Sequence, residues 1–399
     1  MRRVAIVVGP ALFVEAMLYA VLAPLLPRYV DELGLSASAA GLLTASFAAG
    51  SVVMALPGGS LAARLGGRRT LAIGVGGLIV ASLAFAFSHH VVLLDGARFI
   101  QGAAGSVLWA GGLTWASDAA AASRQATTIG ALIGSGIAGA PFGPLLGGLA
   151  VATSPTLVFL AVAAALLPLL ATVLVSPDAP RSPTAGAPLS RALRRPHRRA
   201  TVRAVALTLI PSIGFGLIFV LAPLRLAAAG ASAGAITVTF VIASAVDASA
   251  NPISGRLTDR CGARAILVRA LPAATVAFAI FALPLSVPLL GLVTALSLGC
   301  LGFAWVPLTV GLQRAIGDAG SGEGHAFALF NMSWAGGQAI GAAGGAALAQ
   351  GAGYAAPSLA TSVLVGGAAV AVARAPAEGP HPHPHGSEPT KAIEEVGRG

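Results

Sequence analysis

The chain has 399 residues, 56% of them hydrophobic and only 10% charged, and a mean hydropathy of +0.86. A soluble domain carries about 25% charged residues, so a water-soluble enzyme or binding module is excluded. The net charge of +10 does not mark a nucleic-acid binder, because the basic residues alternate along the chain with long apolar blocks.

Twelve such blocks run at 4–26, 40–62, 70–88, 91–114, 126–150, 156–175, 204–226, 235–256, 265–285, 288–311, 326–348 and 357–373. Each is about 20 residues long, enough to cross about 30 Å of hydrocarbon. They are predicted to be spans 1 to 12 of a polytopic membrane protein. With both termini in the cytosol, every basic residue except Arg28, Arg98 and Arg225 falls at the cytosolic side, as the positive-inside rule requires. The start MRRVAIVVGP resembles a signal peptide, but Glu15 inside the apolar run and the similar spans that follow favour an uncleaved span 1.

Taken in chain order, span 1 carries Glu15 about 11 residues in, or about 16 Å at helical rise, near the midplane. An ionised carboxylate there is costly, which makes Glu15 the candidate proton-coupling and substrate-binding acid. Tyr19, four residues on, joins it as a substrate-binding candidate. On span 4, Arg98, Gln101, Gly105 and Trp109 share a face. Arg98 is a candidate stabiliser of carboxylates on the proton path, or else a partner of Asp95. Gln101 and Trp109 are substrate-binding candidates.

Span 5 reads GALIGSGIAGAPFGPLLGG over 130–148. In water such a helix is poor, but lipid offers the backbone no alternative partner, so it persists. Its glycines admit a neighbouring helix and its proline bends the axis. The segment 176–203, rich in Pro, Ser and Arg, is the one credible boundary. It separates an N-terminal six-helix bundle (1–175) from a C-terminal one (204–374), and 375–399 is expected to be a disordered cytoplasmic tail. A shift of 196 residues superposes Gly59, Leu61, Arg64, Gly66 and Arg68 on Gly255, Leu257, Arg260, Gly262 and Arg264, and Pro27, Gly34 and Ser36 on Pro223, Gly230 and Ser232. The fold class is therefore all-α integral membrane, with twelve transmembrane helices in two pseudo-symmetric six-helix bundles. Internal repeats of this kind place a binding site near the midplane.

In span 8, Thr237, Ser244, Asp247, Asn251 and Ser254 share a face that must meet protein or water. Asp247 is a second candidate for proton coupling. In span 11, Phe327, Asn331, Trp334 and Gln338 share a face, and the last three are substrate-binding candidates suited to an amphipathic or aromatic ligand. Trp305 of span 10 is a weaker one. Glu323 and His325 read as solvated helix-end residues. Cys261 and Cys300 favour neither a disulfide nor a zinc site, and no metal site is expected, the tail histidines 381, 383 and 385 included. No HExxH, no glycine loop ahead of a lysine and no Ser/His/Asp set occurs at a helix midplane, so no enzyme is expected.

Five stretches resemble segments of the major facilitator superfamily. GGSLAARLGGRRTL (58–71) is similar to its loop motif Gly-x-Leu-Ala-Asp-Arg-x-Gly-Arg-Arg, with Ala63 in place of the acid and Gly67 in place of an arginine. GRLTDRCGAR (255–264) is the second-half copy and keeps Asp259. LLDGARFIQGAAGS (93–106) resembles the motif of span 4. Gly130, Gly139, Gly143, Pro144, Gly147 and Gly148 fit the span 5 motif of the proton-coupled antiporter branch. VEAMLYAVLAPLLPRY is similar to span 1 of drug and amine exporters.

The resemblance implies gating roles for Gly59, Arg64, Gly66, Arg68, Gly139, Gly143, Pro144, Gly147, Gly148, Gly255, Asp259, Arg260 and Gly262, with a latch that leans on Asp259 because Ala63 replaces the other acid. It implies a proton-coupled exporter of small amphipathic or cationic molecules, drugs or secondary metabolites, that works by alternating access. The alternative is a proton-coupled uptake carrier for a sugar or similar nutrient, suggested by Pro177-Asp-Ala-Pro-Arg181 but opposed by the absence of amides in span 7. The expected partners are the bilayer, protons and a small-molecule substrate, with no nucleic acid. The protein is expected to be a monomer in a bacterial inner or plasma membrane, with no cofactor beyond the proton gradient.

Overall fold

The computed structural model describes residues 2–121, 124–179, 194, 196–318 and 323–375. Among them lie fourteen helices and no strand. Span 1 is built from α1 (Arg2–Ala20) and α2 (Leu22–Leu33), followed by α3 (Ala37–Leu65), α4 (Gly67–Phe87) and α5 (Val91–Ala119). Span 5 is built from α6 (Gln125–Gly139) and α7 (Phe142–Ala152), followed by α8 (Pro155–Val175). The second half comprises α9 (Arg198–Ala228), α10 (Ala233–Cys261), α11 (Ala263–Phe281), α12 (Val287–Gly317), α13 (Glu323–Ala352) and α14 (Ala355–Ala373). Eleven of the resulting twelve rods are long and apolar enough to cross a membrane. The twelfth, α13, has the length, at 30 residues, but its glycines, Asn331 and Gln338 dilute its apolarity. The tail histidines and residues 180–193 of the linker lie outside the described residues, as do the side chains of Glu323 and His325.

The repeat is legible in the backbone. Ser36 and Ser232 each cap the helix that follows, accepting from Ala39 N and Ala235 N at 3.2 Å. Gly66 and Gly262 link the second rod of each half to the third at φ of +86° and +84°, where a side chain would strain the chain. Arg68 and Arg264 then do the same work in each half. Arg68 Nη1 donates to Leu174 O at the end of α8 (2.7 Å), and Arg264 Nη2 donates to Ala373 O at the end of α14 (2.6 Å). Each fills a terminal carbonyl that its helix leaves open. Arg68 also pairs with Asp178 at 3.3 Å.

Span 5 breaks at Ala140–Pro141. Pro141 and Pro144 lack the N–H groups that would reach Ile137 O and Ala140 O, and single-turn bonds from Ala140 N to Ile137 O and from Gly143 N to Ala140 O bridge the gap. Around this break Gly139, Gly143 and Gly147 lie directly on the carbonyls of Phe13, Met17 and Val21 of span 1. The second half repeats the arrangement in residues that the motif reading of span 5 had no counterpart for. Gly337 and Gly341 of α13 lie on the carbonyls of Leu209 and Ile213 of α9, and Gly345 lies on the Leu217 side chain. Contacts this close bring Cα–H groups against carbonyl oxygens.

The halves close on one another at the end away from the arginine-rich loops. Gly41 of α3 abuts Ala342 and Ala346 of α13, Gly148 abuts Thr237 of α10, and Ser38 N donates to Gln350 Oε1 at 3.0 Å. The face of α3 that meets α13 continues past Val52 as Leu56, Ser60 and Arg64. There it is exposed, beside an open cavity of about 440 Å³ lined also by Pro57 and Leu61. The two helices thus part toward the arginine-rich end.

The glycine contacts set a stability prediction. Gly143→Val and Gly341→Val each press side-chain atoms onto a backbone carbonyl and are expected to destabilise by at least about 1–3 kcal/mol. Thermal unfolding of the purified protein checks this, with Gly344→Val, whose added atoms meet open space, expected to melt like the parent.

Candidate functional site

Span 1 breaks at Val21 because Pro24 has no N–H for Ala20. The last carbonyls of α1 are left without helical partners inside the protein, and Arg98 of α5 supplies them. Its Nη1 donates to Leu18 O (3.1 Å) and to Gln101 Oε1 (2.5 Å), and its Nη2 donates to Tyr19 O (3.3 Å). The guanidinium is 2% exposed and lies 4.7 Å from the centre of the Phe47 ring. Among the described residues Arg98 forms no ion pair. It makes no direct bond to Asp95 or Glu15, so the pairing with Asp95 considered from the sequence is not formed, while the Glu15 carboxyl lies within its electrostatic reach. Planar Arg suits this work because one fork reaches three acceptors.

One turn toward the arginine-rich end, Glu15 is 8% exposed and its Oε2 accepts from Trp109 Nε1 at 2.7 Å. Gly105 of α5 provides the room, since a Cβ there would stand 2.5 Å from Glu15 Oε1. On the other side of Glu15, Tyr19 donates its hydroxyl to Gln338 Oε1 of α13 at 2.5 Å and so ties the two halves together. Glu15 therefore sits between this tie and the parted end of the halves. A carboxyl in that position can bind a proton or a cation when water reaches it from one end, at a cost when it is charged and unpartnered.

Aromatic rings from both halves surround Tyr19. Its ring centre lies 5.2 Å from that of Phe47 and 5.5 Å from those of Phe219 and Trp334. Phe215 continues the cluster to Phe219 (5.0 Å), Trp305 (5.7 Å) and Trp334 (6.4 Å), and Phe219 reaches Phe240 (5.6 Å). A cavity of about 10 Å³, lined among others by Tyr19, Arg98, Phe219 and Gln338, adjoins the cluster. Toward the parted end Trp109 faces Phe327, 6.1 Å away across the halves. Sequence reasoning named Tyr19, Trp109, Trp334 and Gln338 but passed over Phe47, Phe215 and Phe219. The sign was present in Phe215 and Phe219, four residues apart, the first between Gly214 and Gly216, in a span judged only by its lack of amides.

The span 8 stripe is divided in its tasks. Thr237 packs on Gly148, and Ser254 donates to Phe303 O at 2.6 Å. Asn251 donates to Asp247 O at 2.9 Å. The Asp247 carboxyl lies beside Gly302 and Trp305 of α12. Asn331 is half-buried on α13, one turn before Trp334. The residues read as a gate do not form a latch here. Arg64, Asp259 and Arg260 are exposed at the parted end, and no ion pair joins them. Gly59 faces open space, and Gly255 meets only Val306 at 4.0 Å. With the halves apart, the Asp259 latch expected from the sequence is not engaged.

The geometry has counterparts among known proteins. Quinolone resistance protein NorA of Staphylococcus aureus (strain MSSA476) is 29% identical over 197 residues, which are 48% of this chain and 50% of that protein. MFS-type transporter ppzB of Metarhizium rileyi is 33% identical over 146 residues, 35% of this chain and 30% of that protein. The similarity thus spans half the length of these relatives or less. Two solved structures share the fold: a D-xylose-proton symporter (TM-score 0.75, 15% identity, 93% of this chain and 96% of that one) and the human organic anion transporter MFSD10 (TM-score 0.70, 18% identity, 93% and 99%). The family model described as Major Facilitator Superfamily matches residues 8–324, and with twelve rods in two repeated halves around a central polar and aromatic site, the chain belongs to that superfamily of membrane transporters.

Proposed function

We propose that this transporter is a proton-coupled exporter that moves small amphipathic or cationic molecules by alternating access. The observation that carries the reading is Glu15: a buried carboxyl at mid-span, held by Trp109 and walled by aromatic rings, with no cation paired to it among the described residues. When the carboxyl is ionised it attracts a cation, and the rings favour a flat apolar body by cation–π and stacking contact. When it takes a proton, that attraction is lost and the ligand leaves. Proton and ligand thus compete for one group, which is the exchange an antiporter needs. The partial similarity to NorA, whose name describes quinolone resistance, supports a drug-like cargo.

Uptake of a sugar is the weaker reading. Likeness to the xylose symporter at 15% identity speaks for the fold alone. The amide oxygens at the site are already engaged, Gln101 by Arg98 and Gln338 by Tyr19, so only their two buried NH2 groups stay open, and the surrounding walls are mostly apolar rings.

Direction of flux separates the two. Everted membrane vesicles acidified inside are expected to accumulate ethidium, and dissipating the pH gradient is expected to release it. Failure to accumulate ethidium and a panel of other lipophilic cations, with proton-linked xylose movement instead, decides for the sugar carrier.

Glu15→Gln is expected to leave a folded protein that no longer concentrates ethidium. Exchange of one proton for one monovalent cation moves no net charge, so the pH difference drives it: each unit supplies about 1.4 kcal/mol, roughly a tenfold ethidium gradient, and that is the accumulation at stake. Unchanged uphill transport in this variant removes Glu15 from the mechanism.

Arg98→Lys keeps the charge and loses the fork. A charge-assisted hydrogen bond is worth about 1.5–3 kcal/mol, so the variant is expected to melt earlier and to transport at least about tenfold more slowly. If Arg98 acts through charge alone, the lysine variant transports at the parental rate.

A further inference from the structure

Both halves bury a carboxyl by the same device, built from different helices. Trp109 and Trp305 stand 196 residues apart, at equivalent places in the repeat, on α5 and α12. Each bears on one acid. Trp109 Nε1 donates to Glu15 at 2.7 Å, and Trp305 lies beside the Asp247 carboxyl. Each acid occupies space freed by a glycine on the tryptophan's own helix. A Cβ at Gly105 would stand 2.5 Å from Glu15 Oε1, and one at Gly302 would stand 2.8 Å from Asp247 Oδ1.

The first half shows what this position looks like without an acid. Ser51 and Ser106 are the equivalents of Asp247 and Gly302, and there both hydroxyls are bonded to backbone: Ser51 to Phe47 O and Gly102 O, Ser106 to Ser51 O. In the second half the serine pair is replaced by an acid and a glycine, and Asp247 Oδ1 is left buried with no hydrogen-bond partner. A buried acceptor without a partner is costly, and packing does not require it, since serine fills the equivalent place.

Charged groups near Asp247 are few. The Tyr19 hydroxyl lies within electrostatic reach of Asp247, Glu15 and Arg98 alike. Of the elements packed on α10, α7 has no ionisable residue, and α12 offers Cys300 and, at its far end, Arg314. On α11, Arg264 and Arg269 lie toward the arginine-rich end. At the closed end, Arg28 bonds Glu32 and the end of α7, Arg225 of α9 bonds the end of α11, and Tyr29 and Asp31 belong to the same end of α2.

We infer that Asp247 is a second proton carrier, set in the C-terminal half as Glu15 is in the N-terminal half, so that one cycle moves two protons. The two-proton count rests on the export reading above; the proton site itself does not. The step is a plain transfer. Hydronium at one face gives a proton to the carboxylate and leaves as water, an O–H bond forms on Asp247, and the same bond breaks to water at the other face.

Infrared difference spectroscopy of the full chain in lipid vesicles tests this without any ligand. The sample is stepped between about pH 6 and pH 9, above the range in which exposed carboxyls titrate and within that of buried ones, in an Asp95→Asn background that removes a third carboxyl set in an apolar block. Two protonated-carboxyl bands are expected. Glu15→Gln removes one and Asp247→Asn the other, while Asp247→Glu keeps two. Trp305→Phe shifts only the band that Asp247→Asn removes. Both bands surviving in Asp247→Asn, or a single parental band lost in Glu15→Gln, overturns the inference. A parental flux ratio of one proton per ethidium overturns the two-proton count. Two titrating bands with no ethidium movement in the parent would sink the export reading and leave the Asp247 proton site standing.

Discussion

A backbone carbonyl in hydrocarbon has no water to turn to, and this single constraint organises the molecule. Wherever a helix breaks inside the bilayer, the fold must bring a donor to the open carbonyls. At the break in span 1 that donor is Arg98, whose fork takes Leu18 O and Tyr19 O. The ends of spans are capped in the same way, α8 and α14 by Arg68 and Arg264, and α7 by Arg28, which reaches Ala150 O and Val151 O. Arginines that look like carriers of charge in the sequence serve here as caps. The site is a consequence: closing the break at Val21 fixes Tyr19 at the crossing of the two halves and leaves Glu15 one turn away, on the side where they part.

The twelve rods, their repeat and the one carboxyl within the apolar block of span 1 were legible because each leaves a local mark. A block of apolar residues has a length, a duplicated loop keeps Gly66 and Gly262 at one interval, and an acid in an apolar run stands alone. What was not legible depends on partners distant in the chain. Nothing near Arg98 says that its bonds go to α1, because the acceptors are backbone atoms and carry no residue identity. The break in span 5 appears one turn before Pro144, since a proline disrupts the carbonyl four residues earlier. The glycines of α13 escaped because they match those of span 5 at an interval of 198 residues, two more than the interval that aligns the loops. The aromatic cluster draws on α1, α3, α9, α10, α12 and α13, and no window along the chain contains it.

The two halves share a plan and differ in stiffness. In the C-terminal half, α9 and α13 run unbroken for 31 and 30 residues and meet along Gly337, Gly341 and Gly345. In the N-terminal half the equivalent pair is broken on both sides, at Val21 and at Ala140–Pro141, and the glycine contacts fall across the breaks: Gly139 precedes the one in span 5, and Gly147 rests on the carbonyl of Val21 itself. Close contact without interlocking side chains lets two helices slide while remaining in touch, and a break lets each end tilt separately. For the exchange proposed above, bending therefore belongs to spans 1 and 5, with spans 7 and 11 as the rigid counterpart. Glu15 lies on α1, before the hinge, whereas Asp247 sits at the middle of the continuous α10. A change in tilt about Val21 carries Glu15 and Tyr19 together and shifts both relative to Asp247 on α10, so the two carboxyls need not meet water at the same point in the cycle.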